Sequence, residues 1–125
     1  MSDKKKILIV EDEPDLVEML SVFFGESGFD TITAYDGHEG FIKAENEKPD
    51  LITLDISMPG ESGVKMYRNL INSDKAKNIP VIIITAAPAE LKGFIKRMKS
   101  FPDPAGYFEK PVDRDELLSK IKALV

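Results

Sequence analysis

The 125-residue chain contains no cysteine, which excludes disulfide staples, thiolate metal sites and cysteine nucleophiles. Histidine occurs once. His38 lies near the start of an expected helix, away from the strand ends, and reads as a solvated surface residue, not as a ligand or relay group. No apolar run approaches membrane-spanning length, and Met1-Ser2-Asp3-Lys4-Lys5-Lys6 leads straight into a strand-like segment instead of a signal peptide. The cytoplasm is therefore the expected compartment, with no membrane partner. Repeats, low-complexity tracts and linkers are absent. The net charge of -5 argues against broad nucleic-acid binding. What is present, 42% hydrophobic and 31% charged residues, is the composition of an ordinary globular protein with one core, so residues 1–125 are expected to form one domain.

Lys6-Ile7-Leu8-Ile9-Val10 reads as a buried strand ending on Glu11-Asp12-Glu13. Pro14 stands where a helix begins, behind acidic residues that suit its cap and the positive end of its dipole. Leu16, Val17, Leu20, Phe23 and Phe24 follow at helical spacing, with Gly25 and Gly28 as the stop. Phe29 to Tyr35 gives a second strand, and His38 to Glu47 a helix with Phe41, Ile42 and Ala44 inward. Leu51-Ile52-Thr53-Leu54 is a third buried strand that delivers Asp55 to its carboxyl end, before Met58-Pro59-Gly60 turns the chain. Gly63 to Asn72 is helical in pattern, with Val64, Tyr67, Leu70 and Ile71 inward. Val81 to Thr85 is a central strand, and Leu91, Phe94, Ile95 and Met98 mark a fourth helix. Its Lys92, Lys96, Arg97 and Lys99 read as a wet face, with an acidic partner as the sharper alternative. Phe101-Pro102-Asp103-Pro104 is irregular. Gly106 to Glu109 is a fifth strand ending at Lys110-Pro111, and Asp113 with Glu116 forms a capping-box pattern for a fifth helix. Alternating strands and helices with short connections predict a parallel sheet covered by helices on both faces.

Ligands of open α/β sheets bind outside the carboxyl ends of the strands, so the residues to compare are Glu11, Asp12, Asp55, Thr85 and Lys110. Asp55 alone reads as a strand-end turn residue; the others change that reading. Three acids packed together repel unless a cation joins them. Oxygen ligands without His or Cys suit a magnesium-type ion. Beside such an ion Asp55 is suited to attack a phosphoryl group and form an aspartyl phosphate. Lys110 supplies a compact cation for the phosphoryl charge and Thr85 a hydroxyl donor.

These motifs, taken together as Ile9-Val10-Glu11-Asp12-Glu13-Pro14, Leu54-Asp55 with Met58-Pro59-Gly60 and Gly63, Ile84-Thr85-Ala86, and Lys110-Pro111, resemble the receiver domains of bacterial response regulators over the full chain. The resemblance implies a doubly wound, flavodoxin-like α/β fold: one five-stranded parallel sheet of order 2-1-3-4-5 with five helices. It implies that Asp55 accepts phosphate from a histidine kinase or a histidine phosphotransfer protein. Glu11 and Asp12 match the acidic pair that holds Mg2+, with Asp55 and the backbone carbonyl of Ser57 as further ligands. Thr85, Ala86 and Lys110 match the phosphoryl-binding residues. Thr85 and Tyr107 match the switch pair, whose hydroxyl moves toward phosphate while the ring turns inward. The Lys110-Pro111 bond is typically cis in the family. Phosphorylation is then expected to change the surface of the fourth helix, fifth strand and fifth helix, and so to control an unknown protein target.

Three features depart from the common pattern. The interval from Thr85 to Lys110 is long, with Phe101-Pro102-Asp103-Pro104 in place of a short turn. Ser57 and Ala87 are small at positions flanking the phosphoryl group, which implies slow autodephosphorylation. The chain ends after the fifth helix, which favours a stand-alone or N-terminal unit without an output domain, monomeric or weakly dimeric on phosphorylation. The competing readings are a degenerate receiver acting by binding alone, a flavin-binding electron carrier on the same topology, and an aspartate-nucleophile phosphatase. The acidic loop after the first strand opposes the flavin. Ser57, two residues after Asp55 where such phosphatases carry a second acid, opposes the phosphatase.

Overall fold

The computed structural model describes residues 4–86, 93, 94, 96, 97, 99 and 102–125. Strand β1 (Lys6–Val10) leads into α1 (Pro14–Glu26), β2 (Asp30–Ala34), α2 (Gly37–Glu47) and β3 (Leu51–Asp55). A 3-10 turn (Pro59–Glu61) precedes α3 (Ser62–Ile71), β4 (Val81–Thr85) and β5 (Gly106–Glu109), and α4 (Arg114–Leu124) ends the chain. The expected fourth helix falls mostly outside the described residues. Gly93, Phe94, Lys96 and Arg97 are helical within it, and Lys96, Arg97 and Lys99 are exposed. Ala87, Leu91, Lys92, Ile95, Met98 and Phe101 lie outside the described residues, so α4 here is the fifth helix of the sequence reading.

The five strands form one parallel sheet in the order β2-β1-β3-β4-β5. Every residue of β3 and β4 is buried, as a parallel sheet covered on both faces requires. Successive residues serve opposite faces. Leu8, Val10, Ile52, Leu54 and Ile83 point into a core shared with Ala44, Val64, Met66 and Leu70 of α2 and α3. Ile7, Ile9, Leu51 and Ile82 face Leu20 and Phe24 of α1 and Leu117 and Ile121 of α4. Both layers leave the carboxyl ends of β1, β3 and β4 at the same rim.

Two local expectations are corrected. Ile42, expected inward, is 43% exposed. The buried face of α2 runs instead through Gly37, Gly40 and Ala44. A Cβ at Gly40 would sit 2.8 Å from Met66 Sδ and 2.9 Å from Val10 Cγ2, so α2 lies too close to α3 and β1 for a branched residue to face them. Glu13 occupies the N-cap position of α1 but makes no side-chain cap hydrogen bond; its carboxylate is drawn to Lys110, as described below. The N-caps of α2 and α4 follow the usual pattern. Asp36 accepts from the Glu39 amide at 2.8 Å, and Asp113 accepts from the Asp115 and Glu116 amides at 3.0 and 3.1 Å. Past α1, Gly28 adopts φ +96°, which lets the chain reverse into β2.

At the β5 edge three rings stand in series. Phe94, fully buried, meets Tyr67 edge-on at 5.3 Å between centroids and Tyr107 at 6.5 Å. The Tyr67 hydroxyl donates to the Pro102 carbonyl at 2.8 Å. Burial, then the charges of Tyr107 and Asp103, pushes the Tyr67 hydroxyl up to about 12, which keeps it a donor throughout the working pH range.

Candidate functional site

Glu11 follows the last residue of β1, and its amide donates to the Ala34 carbonyl of the neighbouring strand at 3.0 Å. It is 2% exposed and Asp55, the last residue of β3, 1% exposed. Asp12 is exposed beside them. A carboxylate oxygen from each of the three lies within 4.8 Å of the other two. A Cβ on Gly63, at the start of α3, would run into the Asp55 backbone carbonyl and stand 2.9 Å from Ile56 Cα. Glycine at that position is therefore what allows the helix to pack against the strand end that carries Asp55.

Asp55 is held at both oxygens. Oδ1 accepts the Ser57 amide at 2.7 Å, and Oδ2 accepts from Lys110 Nζ at 3.2 Å. Lys110 arrives from the end of β5, its own amide bonded to the Thr85 carbonyl at 2.8 Å and its bond to Pro111 cis. The ammonium also donates to Glu11 Oε2 at 3.1 Å and to Glu13 Oε1 at 2.7 Å. Thr85 is completely buried at the end of β4, and the exposed Ala86 gives its amide to Ser57 Oγ at 2.8 Å. Glu11, Asp12, Asp55 and Lys110 are thus brought into one cluster, with Ser57, Ala86 and Thr85 along its rim. Tyr107 stands apart on β5, 36% exposed, with its ring on Phe94.

Glu13, one of the acidic residues expected to suit the helix cap, pairs with Lys110 instead. The one available signal is its parity with Glu11 in a run of three acids leaving a strand. Its side chain is 61% exposed.

The electrostatics follow from burial. Desolvation, then the charge of Asp55, pushes the Glu11 carboxyl up to about 8 against the lowering effect of Lys110 and of the Glu13 amide. For Lys110, burial favours the neutral amine. The hydrogen bonds to Glu13 and Glu11, with the charge of Asp55, outweigh it and hold the ammonium above its ordinary value. Glu11 Oε1 lies 3.0 Å from Nζ yet is buried without a hydrogen bond among the described residues. Acidic groups crowded together, two of them buried and one with an oxygen that accepts no hydrogen bond there, fit a hard divalent cation with a preference for oxygen.

The sequence matches the family described as response regulator receiver domain over residues 7–122. The alkaline phosphatase synthesis transcriptional regulatory protein PhoP of Bacillus subtilis is 36% identical over 121 residues, 97% of this chain and 48% of that protein. Protein PilH of Pseudomonas aeruginosa is 34% identical over 120 residues, 96% of this chain and 97% of that protein. The chain therefore spans about half the length of PhoP and nearly all of PilH. Among solved structures, chemotaxis protein CheY4 of Vibrio cholerae superposes with a TM-score of 0.82 at 26% identity, covering 98% of this chain and 99% of that one. Response regulator TrrA of Thermotoga maritima, solved in complex with Mg2+-BeF, gives 0.81 at 32% identity over 97% of this chain and 99% of that one. A family match across nearly the whole chain, on a sheet of order β2-β1-β3-β4-β5 with its acids and lysine at one rim, has one reading: this chain belongs to the response regulator receiver domains of two-component signalling.

Proposed function

We propose that Asp55 is the phosphoacceptor of a phosphorylation-dependent switch, receiving its phosphoryl group from a histidine kinase or a histidine phosphotransfer protein. The observation that carries this reading is the seating of Asp55. It is a buried carboxylate held at both oxygens, by the Ser57 amide and the Lys110 ammonium, at the end of a central strand. In the transfer an Asp55 carboxylate oxygen attacks phosphorus. The new O–P bond forms as the P–N bond of the phosphohistidine breaks, and the electron pair stays on the imidazole nitrogen. Lys110 then neutralises charge on the phosphoryl oxygens, while Thr85 and the Ala86 amide, released from Ser57 Oγ, donate to them.

Glu11, Asp12, Asp55 and the Ser57 carbonyl would hold Mg2+, the ion in the TrrA complex. Bound there, it offsets carboxylate repulsion and the charge on the transferring group. The phosphoryl group adds nearly two negative charges. Thr85 turns toward it and the Tyr107 ring turns inward, changing the face of β5, α4 and the segment around Phe94 that a protein target reads. Ser57, too small to orient an attacking water, makes the phosphorylated state slow to decay by itself. Receiver domains act as signalling switches instead of turnover enzymes, and no helix among the described residues is long and apolar enough to cross a membrane.

The test is intact mass after incubation with a small phosphoryl donor and Mg2+. One phosphoryl group is expected on the wild type, with none on Asp55→Asn or in the presence of a chelator. A folded wild type that takes up no phosphate from the small donor or from a phosphorylated histidine protein refutes the reading in favour of a receiver that acts by binding alone.

A further inference from the structure

The Lys110 ammonium has three N–H donors, and oxygens of three different acidic side chains take them: Glu13 at 2.7 Å, Glu11 at 3.1 Å and Asp55 at 3.2 Å. A phosphoryl group arriving on Asp55 inherits only the one lysine N–H that already serves Asp55. A second contact from the ammonium to the phosphoryl oxygens requires Glu11 or Glu13 to let go.

The three are not equivalent. Glu11 and Asp55 are each about 2% exposed and cannot leave the cluster without stranding a buried oxygen. Glu13 is 61% exposed and can turn into water at little cost. It nevertheless makes the shortest of the three contacts. It also occupies the N-cap of α1, where a short turn of its side chain would satisfy an amide of the first turn; it makes no such bond. Its own amide donates to Glu11 Oε2 at 3.1 Å, which fixes its backbone beside the cluster and aims the side chain across it at Lys110.

We infer that Glu13 is a positioning residue that holds Lys110 in the resting protein and competes with the phosphoryl group for it, so that its release is a step in phosphorylation. This rests on the reading of Asp55 as phosphoacceptor. No bond is made or broken in the exchange: one N–H···O⁻ contact to Glu13 is replaced by one to a phosphoryl oxygen, and the freed carboxylate is hydrated. Glu13 thereby sets how readily the switch is thrown, a setting that belongs to this residue and not to the buried acids.

The experiment compares phosphorylation rates of the full chain with phosphoramidate and saturating Mg2+, read by intact mass. Glu13→Gln keeps the shape and removes the charge, and is expected to raise the rate about two- to fivefold, the range of a partly exposed ion pair. Glu18→Gln, an exposed change of the same charge on α1, controls for the simple loss of repulsion toward an anionic donor and is expected to leave the rate near wild type. In a Lys110→Ala background Glu13→Gln is expected to have no effect. An unchanged or lower rate for Glu13→Gln overturns the inference, as does an equal rise for Glu18→Gln or a rise that survives loss of Lys110. A wild type that accepts no phosphoryl group overturns the parent reading as well, and so is told apart from these.

Discussion

Glu11 makes a quantitative claim about the unphosphorylated, metal-free protein. Its carboxyl stands at about 8 in the fold against an ordinary 4.5, chiefly because of burial and then because of Asp55. A folded-state value above the unfolded one means the folded chain keeps a proton that the unfolded chain releases. The stability it contributes is complete below about pH 4.5 and is lost as the pH rises through about 8. Between pH 6 and 8 the folded carboxyl goes from almost fully protonated to half protonated while the unfolded one is ionised throughout. At about 1.4 kcal/mol per unit this costs about 2 kcal/mol, a fall of about 8 °C in Tm for a chain of this size. The assay is thermal unfolding by circular dichroism at pH 6, 7 and 8 in a chelator, for wild type and Glu11→Gln. Wild type is expected to lose about 8 °C across the series, and the glutamine variant, which has no proton to lose, far less. Saturating Mg2+ is expected to flatten the wild-type curve, because the ion takes the place of the proton. Parallel curves for the two proteins in the chelator would refute the account, since the pH dependence would then belong to other groups.

Gly63→Ala forces a methyl into the Asp55 backbone carbonyl and the Ile56 Cα. With backbone on both sides and no flexible tip to yield, it is expected to cost about 3 kcal/mol in urea unfolding; a loss below half that would show that α3 can slide. Asp113→Ala removes the acceptor for two amides of α4 and is expected to cost about 1 kcal/mol, an effect absent from Asp113→Asn on the same assay.

The strands were readable because a parallel sheet buries both faces, so that Ile7-Leu8-Ile9-Val10 and Val81-Ile82-Ile83-Ile84 stand out as unbroken apolar runs whatever surrounds them. The rim followed from topology: once five strands run parallel, the residues after them must meet. Ile42 departs from its expected inward position because apolar spacing marks a face only where neighbours leave room for side chains. Between α2 and α3 the room is so small that Gly37 and Gly40 form the contact, and glycine carries no periodic signal. Glu13 departs from the expected cap because a carboxylate at a helix start has two uses, cap and ion pair. The choice depends on where Lys110, 97 residues later, comes to rest. The series of rings from Tyr107 to Tyr67 was likewise invisible, being made by three residues from separate elements.

That series of rings also makes the protein its own optical probe. The chain has no tryptophan and three tyrosines, so tyrosine emission is not drained into an indole. Tyr35 is half exposed at the far edge of the sheet; the other two tyrosines flank Phe94, and one of them is anchored to the Pro102 carbonyl. A change of ring packing at the β5 edge therefore enters directly into two of the three emitters. Under the proposed switch, phosphorylation is expected to change tyrosine emission, a readout that needs no label.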